Sequence, residues 1–280
     1  MFKQVVVALD GSPESVHAAE VAVRLGIAQS GQLHVVSALD ASGFVTHGLS
    51  RLNEAELATI CERYRAERVA PALEQLAKRG VEIDGVHIEP GEPAETIAGL
   101  ARRLEAEVVV VGRRGMGALK RLFLGSVSIR LLELCARPVL VVPEDCAIPS
   151  AGAMKVLAST DFSAEAAEGV AMAARISRSL DCELCLYHEL DEAAASRADA
   201  EARLKELCGS LLEGGARATS QIGEPGGVGE VVRSSGAQLV VIASHGRSGV
   251  EKLLVGSFAA SVVKQAHVPV LIVRIDREEA

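Results

Sequence analysis

Three glycines and a serine at fixed spacing are the residues of this 280-residue chain whose types and positions could do chemistry. Gly112 and Gly115 stand two residues apart, and nine further residues lead to Gly125 and Ser126. Val108, Val109, Val110 and Val111 precede the stretch, and a helix-like run over 127–135 follows it. Strand, glycine-rich loop and helix together form an arrangement that holds phosphate. Glycines let the backbone approach an anion and take positive φ, while the first N–H groups of the helix, backed by its dipole, attract negative charge. Arg113, Arg114, Lys120 and Arg121 add positive charge to the loop. The first two read as solvated loop charges rather than as specific ligands. The stretch recurs as Ala243, Ser244, His245 and Gly246, then nine residues, then Gly256 and Ser257.

The elements that must position these loops follow from the apolar pattern. Residues 5–9 form a short apolar strand that ends at Asp10 and Gly11. Ser12, Pro13 and Glu14 then suit a cap, a first helical position and an acidic first turn, and the helix is expected to run to about residue 30. A second strand over 33–39 ends at Asp40, and a loop over 41–50 leads into a long helix that Gly80 stops and Pro71 is expected to kink. A third strand over 81–89 turns through Gly91, Glu92 and Pro93 into a third helix. Strand four, the glycine loop, a fourth helix and a fifth strand over 139–142 complete the unit. Alternating strands and helices imply right-handed crossovers and a parallel sheet covered on both faces.

The pattern then restarts. Asp161 follows Asp10 by 151 residues and Gly246 follows Gly115 by 131, so the second copy is shorter, most simply around its second helix. Gly223, Glu224 and Pro225 echo Gly91, Glu92 and Pro93. The expected organisation is a domain over 1–143, a linker over 144–153 and a second domain over 154–280.

Composition agrees with two ordinary α/β domains. Apolar residues make up 49% of the chain and aromatics only 2%, so the cores must be built from Val, Leu, Ile and Ala, as buried parallel sheets are. A net charge of −8 argues against a broad nucleic-acid or anionic-membrane surface. The N-terminus lacks a signal-peptide layout and no apolar run reaches membrane-spanning length, which makes the cytoplasm the expected location. Cys182 and Cys185 are spaced as C-x-x-C but fall in a strand-like run, so they read as buried thiols rather than a redox pair or a metal site. His34, His87 and His188 lie in or at the ends of strands and read as structural. No nucleophile, base and orienter spacing stands out, so neither catalytic residues nor metal ligands are assigned.

The strand–Asp–x–Ser opening, the Gly-x2-Gly-x9-Gly-Ser loop and the closing Pro-Val-Leu-Val-Val strand together resemble the universal stress protein family in its tandem two-domain form. The resemblance covers nearly the whole chain. It implies five-stranded parallel sheets in the order 3-2-1-4-5 and, in the nucleotide-binding branch, ATP at the glycine loop, with or without Mg. Carried onto this sequence, it places Asp10 at the nucleoside, the backbone of Ala38 at the adenine edge and Gly112 at the ribose. Gly115, Gly125, Ser126, Val127 and Ser128 would line the phosphates, with Ser126 and Ser128 offering hydroxyls. A weaker second site would use Asp161, Gly246, Gly256 and Ser257. There Ala243 replaces the first glycine, Phe258 stands at the position of Val127 and Ala259 lacks the hydroxyl of Ser128, whereas Glu189 at the position of Ala38 need not disturb a backbone contact.

The function implied is ATP binding in a regulatory stress response with at most slow hydrolysis. The alternatives are an adenylyl-transfer enzyme of the same fold and an interaction protein that binds no nucleotide. The resemblance also implies pairing of the two domains through their fifth strands as a pseudo-dimer within the chain, with homodimer formation through helical faces as a further step. The two halves expressed apart should accordingly bind each other, and mixing them in a sedimentation or titration experiment with no association would refute the pairing.

Overall fold

The structure, a computed structural model, describes residues 2–27, 31–40, 53–115, 124–147, 154–190, 196–244 and 256–274. It divides into two compact units, Met1–Glu144 and Asp145–Ala280. The first runs β1 (Gln4–Ala8), α1 (Pro13–Arg24), β2 (Gln32–Leu39), α2 (Glu54–Tyr64), a π-helical turn (Arg65–Val69), α3 (Ala70–Lys78), β3 (Gly85–Pro90), α4 (Pro93–Arg103), β4 (Val108–Gly112), α5 (Ser126–Leu134) and β5 (Val139–Val142). Its strands lie in the order β3-β2-β1-β4-β5, all parallel. Every residue of β4 and β5 is buried, which is why both read as unbroken apolar runs.

The second unit repeats the plan. It runs β6 (Lys155–Ser159), α6 (Ala164–Ser179), β7 (Glu183–Glu189), α7 (Arg197–Glu213), β8 (Arg217–Gly223), α8 (Val228–Ser234), β9 (Leu239–Ala243), α9 (Ser257–Gln265) and β10 (Val270–Val273). Its order is β8-β7-β6-β9-β10, again parallel. One helix, α7, lies between its second and third strands where the first unit has α2, the π turn and α3. Among the described residues no helix is long and apolar enough to cross a membrane.

Four local expectations are corrected. Helix α1 stops at Arg24 because Gly26 takes φ +70, with its N–H on the Val23 carbonyl and that of Ile27 on Ala22, a left-handed stop that glycine makes cheap. The second helix is interrupted before Pro71 rather than at it. The π turn ends with the Ala70 N–H on the Arg65 carbonyl, and Pro71 follows at once in the first turn of α3, so the irregular turn lies where the proline ring and its missing N–H would disturb a regular helix. Strand β3 begins only at Gly85, since Asp84 uses its carboxylate to accept the Leu33 N–H at 2.7 Å while its own N–H reaches the Leu33 carbonyl. In the second unit Pro225 does not open a helix. Glu224 and Gly227 close a turn through Gly226 at φ +77, and Gly227 becomes the N-cap of α8.

Cys182 lies just before β7 and Cys185 within it, both as free buried thiols, and burial pushes both above the ordinary thiol range. His34 and His87 face each other across β2 and β3 at 3.3 Å, and Nδ1 of His188 lies 2.7 Å from the Thr160 carbonyl oxygen.

Candidate functional site

Strands β1 and β4 are neighbours, so the loops leaving their carboxyl ends define one crevice, the position where parallel sheets of this order take ligands. The loop after β1 is fixed by its own chemistry. The Asp10 carboxylate accepts the Ser12 N–H at 3.0 Å and the Ser12 hydroxyl at 2.5 Å, and that hydroxyl oxygen accepts the Ser15 N–H to cap α1. Gly11 holds φ +81 with a Cβ position only 2.7 Å from the Arg68 carbonyl oxygen, so the π turn packs where only glycine fits. The other carboxylate oxygen of Asp10 faces Gly115, and a Cβ there would overlap it.

The loop after β4 is braced from three sides. Arg113 donates its N–H to Val142 at 2.7 Å, Gly125 donates to the Arg113 carbonyl at 2.8 Å, and the buried Ser128 hydroxyl donates to the Gly112 carbonyl at 2.8 Å. Two expectations change here. Gly112, Gly115 and Gly125 have no positive φ; a side chain at Gly115 would meet the Asp10 carboxylate, and at the other two the loop backbone closes on itself, with the Gly112 Cβ position 2.8 Å from the Arg114 carbonyl oxygen and that of Gly125 3.2 Å from the Arg113 carbonyl oxygen. The Ser128 hydroxyl is committed inward and shapes the loop instead of facing a ligand, whereas Ser126 is exposed.

Helix α5 opens at this loop without a side-chain cap. Ser12, Asn53 and Glu92 each accept an amide of the helix they precede, but Gly125 has nothing to offer. The amides that a helix leaves unmatched in its first turn, here those of Ser126, Val127 and Ser128, therefore lie at the wall of the crevice, a position that suits an anion.

All eight residues expected at the first site, Asp10, Ala38, Gly112, Gly115, Gly125, Ser126, Val127 and Ser128, line one cleft of about 810 Å³. That volume lies within the range of small-molecule sites. Val36, Pro93 and Ile97 give its other end an apolar wall. Tyr64 also lines it, with its hydroxyl 3.2 Å from Ser37 Oγ and donating to the Ala38 carbonyl at 3.4 Å. Nothing in the local sequence marks Tyr64, because the π turn decides which way the end of α2 faces.

Arg113 and Arg114 are not solvated. Their side chains are only 11% and 10% exposed, and both pair with Glu144, Arg113 at 3.1 Å to one carboxylate oxygen and Arg114 to the other. This triad ties the glycine loop to the end of β5. Lys120 and Arg121 lie outside the described residues.

The second unit keeps the skeleton of the site. Asp161 accepts the Ser163 N–H at 3.0 Å and its hydroxyl at 2.5 Å, and Ser163 caps α6. Ser244 donates to Val273 and Gly256 to Ser244, both at 2.9 Å, repeating the bracing of Arg113 and Gly125. Gly256 leaves α9 without a side-chain cap, so Ser257 opens that helix as Ser126 opens α5. Phe162, at φ +62, stands in place of Gly11 and lies between His188 and Arg203. Phe258 is half-buried at the first turn of α9, and Gly246 lies outside the described residues.

The comparisons with known proteins agree with this repetition. The model of the universal stress protein family matches residues 1–143 and again 153–274. Universal stress protein YxiE of Bacillus subtilis is 30% identical over 51% of this chain and 99% of its own length. Universal stress protein Mb2019 of Mycobacterium bovis is 27% identical over 99% of this chain and 96% of its own. The crystal structure of a universal stress protein from Archaeoglobus fulgidus shares the fold across 97% of this chain and 98% of its own, with a TM-score of 0.72 at 18% identity. The chain belongs to the universal stress protein family and carries its domain twice in tandem.

Proposed function

We propose that the first unit binds one ATP, with the adenosine toward Asp10, Val36 and Ala38 and the phosphates at Gly115 and the start of α5, and that the chain acts as a nucleotide-responsive regulator rather than as an enzyme. The observation that carries this reading is the pairing of two features in one cleft of about 810 Å³: a helix start whose glycine cap leaves its amides to a ligand, and an apolar wall suited to a base. Polyphosphate would meet amides that are already aimed, and the base would meet Val36 and Ile97 on one side and the Ala38 backbone on the other. If Mg accompanies the nucleotide, it is held chiefly by the phosphates, as a hard cation that keeps much of its water.

Little hydrolysis is expected. Two carboxylates line the cleft: Asp40 lies just past Leu39 at the end of β2, on the side of the adenosine, and Asp10 already accepts two hydrogen bonds from Ser12. Neither is placed as a base that activates water. Protein purified gently from cells should carry adenine nucleotide, detectable after acid extraction, while added ATP should turn over far below the roughly 1–1000 per second of enzymes. A turnover inside that range, abolished by a change at Gly115, would replace the regulatory reading with the enzymatic one.

A further inference from the structure

The chain contains two tyrosines, and each lies at the carboxyl end of the second strand of its own unit. They do opposite things. Tyr64 reaches the end of β2 from a helix and leaves the cleft open beneath it. Tyr187 belongs to the strand itself. Val36 pairs in register with Ala8, and Tyr187 pairs with Ser159, the residue that matches Ala8, so Tyr187 occupies the position of Val36 and projects from the same face of the sheet. Two residues on, Glu189 likewise takes the position of Ala38.

In the first unit that face supplies the apolar end of the cleft, opposite Pro93 and Ile97 of α4. In the second, the Tyr187 ring fills the corresponding space. The residue is fully buried, and its ring lies so close over Gly223, the last residue of β8, that any side chain there would overlap it. Its hydroxyl oxygen lies 3.8 Å from the Cβ position of Gly227, the N-cap of α8, the helix that corresponds to α4. The ring thus spans from the second strand to the helix across from it. Glu189 locks it there: one carboxylate oxygen accepts the Tyr187 hydroxyl at 3.2 Å and the other accepts the Gly226 N–H at 3.1 Å. Burial, with Glu189 alongside, holds that hydroxyl above the ordinary phenol range, so it remains a neutral donor at physiological pH. The Glu189 side chain is therefore not the neutral bystander that its backbone position suggests.

We propose that Tyr187, held by Glu189, is the residue that closes the nucleoside end of the second unit's cleft, so that this unit refuses adenosine and its nucleotides although it keeps the Asp turn and the glycine-capped helix. The proposal rests on the reading of the first unit as an adenine-nucleotide site, because it assigns the corresponding space in the second to a side chain.

Calorimetric titration of the full chain with adenosine and with ATP tests it. The expected counts are one molecule per chain for the natural sequence and two for Tyr187→Val with either ligand, and one molecule of ATP for the double variant Gly115→Val, Tyr187→Val. Tyr187→Phe, which keeps the ring, should stay at one. A folded Tyr187→Val protein that still binds one adenosine, or a double variant that binds none, overturns the proposal. If the natural sequence binds none and Tyr187→Val binds one, the closure stands and the reading of the first unit fails. Should Tyr187→Val not fold, Tyr187→Leu carries the same test. Amide exchange on the natural chain is independent of any variant: the Gly226 N–H should stay protected and unchanged at saturating ATP, and its deprotection or a ligand-dependent shift would count against the closure.

Discussion

Valine in place of Gly115 is expected to lower the affinity of the full chain for ATP by at least about 100-fold, which corresponds to about 2.7 kcal/mol, without unfolding it. The reason is local and steric. A Cβ at position 115 would overlap the Asp10 carboxylate, which is itself held by the Ser12 N–H and hydroxyl and cannot retreat without breaking the turn that caps α1. The branched side chain must therefore swing the glycine loop away from β1 and into the space where phosphates would lie. Gly115 sits on the rim of the sheet and takes no part in the core, so circular dichroism and the thermal midpoint should remain close to those of the natural protein. Unchanged ATP affinity in a folded Gly115→Val protein would show that the loop does not contact the nucleotide.

Alanine at Glu144 should have the second largest effect, and it should act on stability first. Glu144 pairs with two guanidinium groups that are about nine-tenths buried, and it spans them with separate oxygens. Removing the carboxylate leaves those two buried charges without this shared counter-ion. The cost is about 2 kcal/mol, below that of breaking a wholly buried pair because Glu144 itself is 22% exposed. Thermal or denaturant unfolding should show the loss in the first unit. The affinity for ATP should fall as well, because the triad ties the glycine loop to the end of β5 and fixes where the first amides of α5 point. Glu144→Gln, which keeps the shape and one acceptor, should recover part of the stability. An unaltered unfolding transition in Glu144→Ala would mean that the triad is a surface pairing of little consequence.

How much of this was legible from the sequence depends on the distance over which each feature is specified. The Asp10 turn and the Ser12 cap span a few residues, and the residue types Asp, Ser, Pro and Glu state them directly. The same holds for the turn through Gly91, Glu92 and Pro93 into α4 and for the glycine before Ser126, although no residue type announced that Glu92 would cap the helix. The parallel sheets followed from strands and helices in alternation, with β4 and β5 betrayed by unbroken valine and leucine. Features built by the fold itself were not legible. Arg113 lies 31 residues from Glu144 and meets it only because β5 lies beside β4, with Gly112 and Val142 in register. Tyr64 reaches Ala38 from 26 residues away, at the end of a helix whose continuation is shifted by a π turn that no residue type announces. The spacing of Gly112, Gly115 and Gly125 could not reveal whether glycine was needed for its φ or for its lack of a side chain, and the structure answers in favour of the second. Tyr187 did leave a signal, a large ring at the position of a cleft valine, but it carries meaning only once the strand register places the two residues alike.

The two units therefore share a backbone plan and differ in what fills it. In the first, small residues at the strand ends and a glycine-capped helix leave a cleft. In the second, the same turns are present with bulkier side chains, Phe162, Tyr187 and Phe258, where the first has Gly11, Val36 and Val127. Aromatic residues are scarce in this protein, and three of its seven fall at those positions.

The central claim is that the first unit alone holds an adenine nucleotide, and titration of the full chain with ATP by calorimetry tests it most directly. One site per chain that disappears in Gly115→Val is the result expected. Two equivalent sites, or no heat of binding at any concentration reached, would contradict it.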